Sequence, residues 1–212
     1  SFHNYFLTDD GPINIPVTFL CSGLGIVDDP AHVTGSSLRR TGSVLMLLGW
    51  TDDELGGSVF ARRAGIRGAV VPRTDCAAHL ARYRKFHQAR CGGLVLAAHD
   101  LAEGGLAVAA AEMAFSGMGG DEIDLAAVPT RRGWDSPAVP LFAESTGRLL
   151  IEVAPDQAAE LQAACAGEPL AVIGHTTAAH AQIRVSCAGR TLLARDLPAL
   201  KRIWQQRLGA FY

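Results

Sequence analysis

The feature that most constrains the fold of this chain is an apolar run that ends in an acidic, glycine-paired loop and is followed at once by strong helix formers. The run spans residues 93–98, the loop spans residues 99–105, and the helix formers span residues 106–115. This pattern predicts a strand, a loop and a helix in succession. The first turn of a helix presents unpaired backbone N–H groups and a partial positive charge, which stabilise an anion. The junction therefore predicts a position that suits a phosphate or another anion.

The acidic residues of this loop allow two interpretations. Asp100 and Glu103 stand one helical turn apart at the predicted helix start, where carboxylates cap free N–H groups and complement the helix dipole. Alternatively, Gly104 and Gly105 permit unusual backbone angles and the close approach of a ligand, so the loop forms a metal–phosphate site. The full phosphate-loop signature G-x-x-x-x-G-K-[ST] is absent. The residues alone leave both interpretations open.

Apolar periodicity along the rest of the chain predicts an α+β fold, a mixed β-sheet with packed helices. The predicted strands alternate partly with helices and partly with short hairpin turns, which favours this architecture. The predicted strands span residues 17–27, 42–50, 93–98, 122–128, 149–153, 170–174, 182–187 and 190–194, and the predicted helices span residues 75–90, 106–115, 155–166 and 197–208. Residues 1–16 are predicted to be a polar lead-in, and residues 129–140 are predicted to be the least regular stretch.

Composition and charge exclude several classes of function. With 212 residues and 49% apolar content, the chain can bury the core of one large domain, or of one domain with an appendage. A formal net charge of -2 provides no basic field for nucleic acid, so we expect no nucleic-acid partner. No apolar run approaches the roughly 20 residues of a membrane span, and the N-terminus lacks the pattern of a signal peptide. We therefore expect a cytoplasmic protein without a membrane partner.

The common catalytic and metal-binding patterns are also missing. Five cysteines without a C-x-x-C pair indicate reduced thiols rather than a disulfide framework or a zinc site. The seven histidines show no H-E-x-x-H spacing, and no G-x-S-x-G element precedes a helix. His99, beside Asp100, is more often hydrogen-bonded structure than a catalytic base in such a position. No residue is therefore assigned a catalytic role.

Two further loops accompany the one at residues 99–105, in a fixed order along the chain. L-G-G-S at residues 55–58 follows a predicted strand, and L-F-x-E-S-x-G-R at residues 141–148 precedes another. Together with H-D-x-x-x-G-G-L, this order resembles the C-terminal domain shared by the aminoimidazole ribonucleotide (AIR) synthetase superfamily. More narrowly, it is similar to the last such domain of the phosphoribosylformylglycinamidine synthases. The resemblance covers nearly the whole chain.

This resemblance implies a fold, an activity and partners. The fold would be AIR synthetase C-terminal-domain-like, with residues 1–16 as the tail of a preceding N-terminal-type domain and residues 17–212 as the C-terminal domain. The activity would be ATP- and Mg²⁺-dependent amidation of formylglycinamide ribonucleotide in purine biosynthesis. The partners would be N-terminal-type ATP-binding domains of the same enzyme and a glutaminase domain or subunit. By itself, the chain is expected to be inactive.

The resemblance also implies site residues. Ser1 corresponds to a substrate-binding serine, Asp100 to a magnesium-binding aspartate, and Gly104 and Gly105 to the nucleotide-binding loop. Ala102 and Glu103 depart from the serine and aspartate of that loop. Two alternatives remain: a non-catalytic nucleotide- or anion-binding assembly module, and a domain of another member of the superfamily.

Overall fold

A computed structural model describes residues 5–14, 20–27, 29–30, 33–115, 119–178 and 182–209. The chain divides into two compact units, Ser1–Val33 and Thr34–Tyr212. In the first unit, β1 (Tyr5–Thr8) pairs antiparallel with β2 (Gly11–Asn14), so a short hairpin forms within the predicted lead-in.

The strand predicted over residues 17–27 is wrong for residues 20–27, which form no strand. These residues are exposed and include Gly23 and Gly25, so they have neither a paired neighbour nor a buried face. Residues 17–19 lie outside the described residues.

The second unit is built on a seven-stranded mixed sheet, which confirms the predicted α+β class. The strand order is β4-β6-β3-β7-β5-β8-β9, in which β5 and β8 run parallel and every other neighbouring pair runs antiparallel. The strands are β3 (Val44–Leu48), β4 (Ala97–Asp100), β5 (Gly120–Asp124), β6 (Leu149–Val153), β7 (Leu170–Thr177), β8 (Gln182–Cys187) and β9 (Arg190–Asp196). The helices are α1 (Val59–Ala64), α2 (Cys76–Cys91), α3 (Gly105–Phe115), α4 (Ala138–Phe142), α5 (Ala158–Ala164) and α6 (Leu197–Gly209).

Helices cover both faces of the sheet around its β3 strand. Leu45 and Leu47 join the larger core cluster with residues of α3, α4 and α6. Met46 and Leu48 face the other way and pack in a second cluster with residues of α2 and α5. All four side chains are 0% exposed. A strand buried on both faces reads as a continuous apolar run, and this is why the sequence predicts it well.

Several strand boundaries differ from the prediction by a few residues, and two of these differences have a clear local reason. β4 extends through His99 to Asp100 because its pairing with β6 continues to the register Asp100↔Leu149. β5 ends at Asp124 because that carboxylate accepts the N–H of Ala126 and begins a 3₁₀ turn. Helix α4 lies partly within the stretch predicted to be least regular. Among the residues that the structure describes, no helix has the length and apolar character needed to cross a bilayer.

Candidate functional site

The three loops singled out in the sequence meet at the carboxylate of Glu144. Its Oε1 accepts the backbone N–H of Gly104, with an N···O distance of 2.9 Å. The same oxygen accepts the N–H of Val59, the first residue of α1, also at 2.9 Å. Gly104 immediately precedes α3, so one carboxylate lies at the N-terminal ends of two helices, where negative charge is stabilised. The loop that the sequence predicts to bind an anion thus contacts an anion of its own chain.

The same loop at residues 141–148 is also bound to the segment that follows β3. Ser145 Oγ accepts the N–H of Asp52 at 3.1 Å. Arg148, 1% exposed, donates to the Ser145 carbonyl at 2.9 Å, to Thr51 Oγ1 at 3.0 Å and to the Ala143 carbonyl. These bonds make the loop and the segment after β3 one connected unit.

Burial sets the electrostatics of this unit. Loss of solvent lowers the pKa of Arg148 to about 10, and the nearby carboxylates of Glu54, Asp52 and Glu144 act in the opposite direction. Because this pKa remains well above neutrality, the guanidinium keeps its charge at pH 7. Arg148 is therefore a buried cation that donates hydrogen bonds to oxygens of the loop at residues 141–148 and of the segment that follows β3.

The glycine pair has a packing role. Gly105 has φ +63°, and a Cβ there would lie 2.6 Å from the Ala143 carbonyl oxygen and 2.9 Å from that of Leu141. Gly104 has φ +83°, and its Cβ would lie 2.3 Å from Val108 Cγ2. Glycine is therefore required at Gly105 for the close approach of α3 to the loop at residues 141–148, and at Gly104 by the side chain of Val108 within α3 itself. The packing role of the two glycines is additional to the role in nucleotide binding that the resemblance predicts for them.

Asp100 lies at the end of β4 with its side chain 71% exposed. Its Oδ1 is 3.5 Å from His99 Nδ1. No group of three or more His, Cys, Asp or Glu side chains suited to a metal ion occurs in the described part of the chain. Mg²⁺ nevertheless commonly binds through one or two carboxylates together with phosphates and water. An accessible carboxylate such as that of Asp100 fits this mode.

His99 is bound into the structure through both ring nitrogens. Nδ1 lies 2.7 Å from the Asp100 carbonyl oxygen, and Nε2 lies 3.2 Å from Glu112 Oε2 on α3. Its side chain is 22% exposed. The arrangement agrees with the hydrogen-bonded structural role that the sequence favours over catalysis.

A pocket of about 800 Å³ lies against the segment that follows β3. Arg131 forms an ion pair with Asp52, and its guanidinium lies 5.8 Å from the centre of the Trp50 ring. The pocket is lined by Asp52, Asp53, Glu54, Val70, Arg73, Thr74, Asp75, His79, Arg131, Arg132, Gly133, Trp134 and Asp135. Sequence reasoning missed this pocket because its walls come from three segments that are distant in the chain and carry no shared periodicity.

The predicted site residues do not all lie at the Glu144 junction. Gly104 and Gly105 lie at the Glu144 junction, and Asp100 lies in the same loop with its side chain directed to solvent. Ser1 lies outside the described residues. Glu144 and Arg148 stand four residues apart, which is the spacing of a local ion pair, whereas in the structure each binds another segment.

The family of the chain follows from a comparison with protein-family models. The model for AIR synthase related protein, C-terminal domain, matches residues 40–186. The chain belongs to this family. The matched range contains all three loops and the Glu144 junction, so the resemblance drawn from the motifs is confirmed.

Curated relatives of this family member are similar over most of the chain. Phosphoribosylformylglycinamidine synthase subunit PurL of Leifsonia xyli subsp. xyli is 34% identical over 176 residues, which are 82% of this chain and 23% of the relative. The subunit of the same name from Moorella thermoacetica is 34% identical over 189 residues, which are 87% of this chain and 25% of the relative. The chain thus spans about a quarter of the length of these relatives.

Solved structures share the fold. Thermotoga maritima PurL complexed with FGAR has a TM-score of 0.72 and 21% identity, over 90% of this chain and 30% of that one. T. maritima PurL complexed with ATP has a TM-score of 0.68 and 20% identity, over 90% of this chain and 28% of that one. At these identities the likeness establishes the fold, and it confirms the predicted AIR synthetase C-terminal-domain-like architecture.

Proposed function

We propose that this chain is the C-terminal-type domain of a phosphoribosylformylglycinamidine synthase and serves the ATP-dependent amidation of formylglycinamide ribonucleotide in purine biosynthesis. The observation that carries the proposal is the 34% identity to synthase subunits over 82% and 87% of the chain. The joining of the three characteristic loops at Glu144 supports it, because these loops then form one structural unit rather than three unrelated turns.

In this reaction the γ-phosphate of ATP activates the formamide oxygen of the substrate, and ammonia then displaces phosphate to give the amidine. Such phosphoryl transfer depends mainly on positioning and on stabilisation of charge. This chain would contribute one loop at a helix N-terminus, and N-terminal-type ATP-binding domains of the same enzyme would supply the rest of the site. A glutaminase domain or subunit would supply the ammonia. The location of such an enzyme in the cytoplasm stays a prediction.

Within the chain, Asp100 would hold Mg²⁺, and the loop through Gly104 and Gly105 would face the nucleotide phosphates. The exposed carboxylate of Asp100 and the adjacent N-terminus of α3 support this assignment. Bound Mg²⁺ would neutralise phosphate charge. We also propose that Ser1 contacts the ribonucleotide substrate. This assignment rests only on the correspondence of Ser1 to the substrate-binding serine of related synthases.

A domain exchange tests the proposed activity. The corresponding part of M. thermoacetica PurL would be replaced by this chain, and amidine formation would be measured with ATP, ammonium and formylglycinamide ribonucleotide. We expect the hybrid to form the amidine, and we expect this chain alone to release no phosphate. A folded hybrid without amidation, or turnover by this chain alone, would contradict the proposal.

Calorimetry tests the proposed nucleotide site. Mg²⁺–ADP would be titrated into the parent chain, Asp100→Ala and the exposed-carboxylate control Asp156→Ala. We expect binding that Asp100→Ala weakens by about tenfold or more and that Asp156→Ala leaves unchanged. Absence of binding to the parent would contradict the nucleotide site and leave a purely structural loop. The packing role of both glycines fits such a loop, since it explains them without a ligand.

A further inference from the structure

A continuous path of side-chain contacts connects the C-terminal helix α6 to the loop at residues 99–105. Trp204 Nε1–H donates to Glu112 Oε1 on α3 at 3.1 Å. The other oxygen of Glu112 lies 3.2 Å from His99 Nε2. His99 Nδ1 in turn lies 2.7 Å from the carbonyl oxygen of Asp100, which can only accept a hydrogen bond. Three elements are therefore joined through one carboxylate and one imidazole.

The Trp204 end of this path is held by contacts that do not involve Glu112. The Trp204 ring packs against Phe115 with 5.8 Å between centroids and 52° between planes. Lys201, one turn earlier in α6, donates to the Phe115 carbonyl at 2.8 Å. Leu197, at the start of α6, is buried in the larger core cluster. Since these contacts fix α6 on α3, the indole N–H has a defined direction toward Glu112.

The loop itself is held at both ends and also by backbone bonds between them, since the Leu101 N–H donates to the Arg148 carbonyl at 3.2 Å and the Gly105 N–H donates to the Ala102 carbonyl at 3.1 Å. At its far end, Gly104 donates to Glu144, as described above. At its near end, the Asp100 carbonyl is bound to the His99 ring, whose outer nitrogen faces Glu112. Loss of the Glu112 contact would release the His99 ring from α3 and weaken its hold on the Asp100 carbonyl, while the N–H bonds of Leu101 and Gly104 stay in place.

We propose that Glu112 and Trp204 are positioning residues for the loop that carries Asp100. They orient His99, and His99 orients the Asp100 peptide beside the N-terminus of α3. The consequence for a bound magnesium nucleotide rests on the proposed function, whereas the ordering of the loop does not. A shift in the position of α6 relative to α3 would thereby change the orientation of His99 and of the loop.

Backbone amide hydrogen exchange over residues 99–105 of the whole chain tests this proposal. Trp204→Phe keeps an aromatic ring against Phe115 and removes the N–H donor. Glu112→Ala removes the carboxylate that contacts both Trp204 and His99, and alanine favours the helix, so α3 stays formed. In both variants we expect amides of the loop to exchange at least about threefold faster, because Trp204→Phe loses a hydrogen bond to a charged group and Glu112→Ala loses that bond together with the contact to His99.

Two further variants make the test specific. Glu112→Gln retains an oxygen for Trp204 and a nitrogen that can donate to His99, so it is expected to keep the slow exchange of the parent. Ile203→Ala changes an exposed neighbour on α6 and is expected to have no effect on the loop. Unchanged exchange in Trp204→Phe and Glu112→Ala would overturn the proposal. So would an equal acceleration in Glu112→Gln or Ile203→Ala.

A parallel titration with Mg²⁺–ADP separates this proposal from the proposed function. Weaker binding in Trp204→Phe than in Ile203→Ala would show that the ordered loop serves the nucleotide. If the parent chain binds no nucleotide, the proposed site fails, and the exchange experiment still decides whether Glu112 and Trp204 order the loop.

Discussion

Asp121 makes the stability of this protein dependent on pH in a way that one substitution should remove. It lies on β5 with 1% of its surface exposed, and neither carboxylate oxygen has a hydrogen-bond partner among the described residues. Burial raises the pKa of Asp121 to about 7 from an ordinary value of 3.8. The folded protein therefore retains a proton on this group at pH values where the unfolded chain has lost it.

The sign and size of the effect follow from this difference in pKa. At pH values below the pKa of this group in the unfolded chain, both states are protonated. Ionisation of the group then makes no contribution to the free energy of unfolding. As pH rises from about 4 to about 7, the free energy of unfolding falls, because the unfolded state alone gains a solvated charge. A difference of about 3 pKa units at about 1.4 kcal/mol per unit gives an upper limit of about 4 kcal/mol. Above about pH 7 the penalty is complete and constant.

Urea unfolding of the parent and Asp121→Asn, followed by tryptophan fluorescence, measures this penalty. The amide resembles the protonated acid in shape and stays neutral, so we expect the two proteins to be similarly stable near pH 4. Near pH 8 we expect the variant to be more stable by about 2 to 4 kcal/mol. Asp156→Asn, which alters an exposed carboxylate, is the control and should show no such trend. A difference between parent and Asp121→Asn that does not change with pH would refute the reasoning.

Two other substitutions test the packing of the loops. Gly105→Ala should lower the free energy of unfolding by about 3 kcal/mol, since its Cβ meets the Ala143 carbonyl at 2.6 Å, whereas Gly133→Ala, with φ +72° and open space, should cost only about 1 kcal/mol. Chemical denaturation measures both, and equal losses would contradict the packing argument. Arg148→Lys should destabilise the fold by about 3 kcal/mol, because an ammonium cannot keep the bonds to Ser145 and Thr51 together. A thermal unfolding midpoint unchanged from the parent would show that these bonds are dispensable.

Local sequence patterns predicted the elements that carry a strong periodicity. The apolar run of β3 is found close to its predicted position. Helix α2 is also found near its predicted position, although Leu80 and Tyr83 are exposed and Arg82 is buried. The strand–loop–helix junction is also confirmed, although β4 begins at Ala97 and reaches Asp100. For β3, the burial of the whole apolar run is a local signal that the sequence carries.

Features that depend on long-range packing could not be read in this way. The four-residue spacing of Glu144 and Arg148 is that of a local ion pair, but Glu144 binds Gly104 and Val59, and Arg148 binds Thr51, which follows the neighbouring strand β3. Likewise, nothing in the local pattern connects His99 to Glu112. The contacts of Glu144 and Arg148 exist only once the sheet order places β4, β6 and β3 side by side, and the contact of His99 exists only once α3 packs beside β4.

The most direct test of the account compares two substitutions of Glu144 in the hybrid synthase. Glu144→Gln keeps an oxygen that can accept both N–H bonds, so we predict that the hybrid retains most of its rate of amidine formation. Glu144→Ala leaves the N–H groups of Gly104 and Val59 unpaired, and we predict a rate at least about tenfold lower in a protein that is still folded by circular dichroism. A Glu144→Ala hybrid as active as its parent would contradict the claim that this junction organises the functional loops.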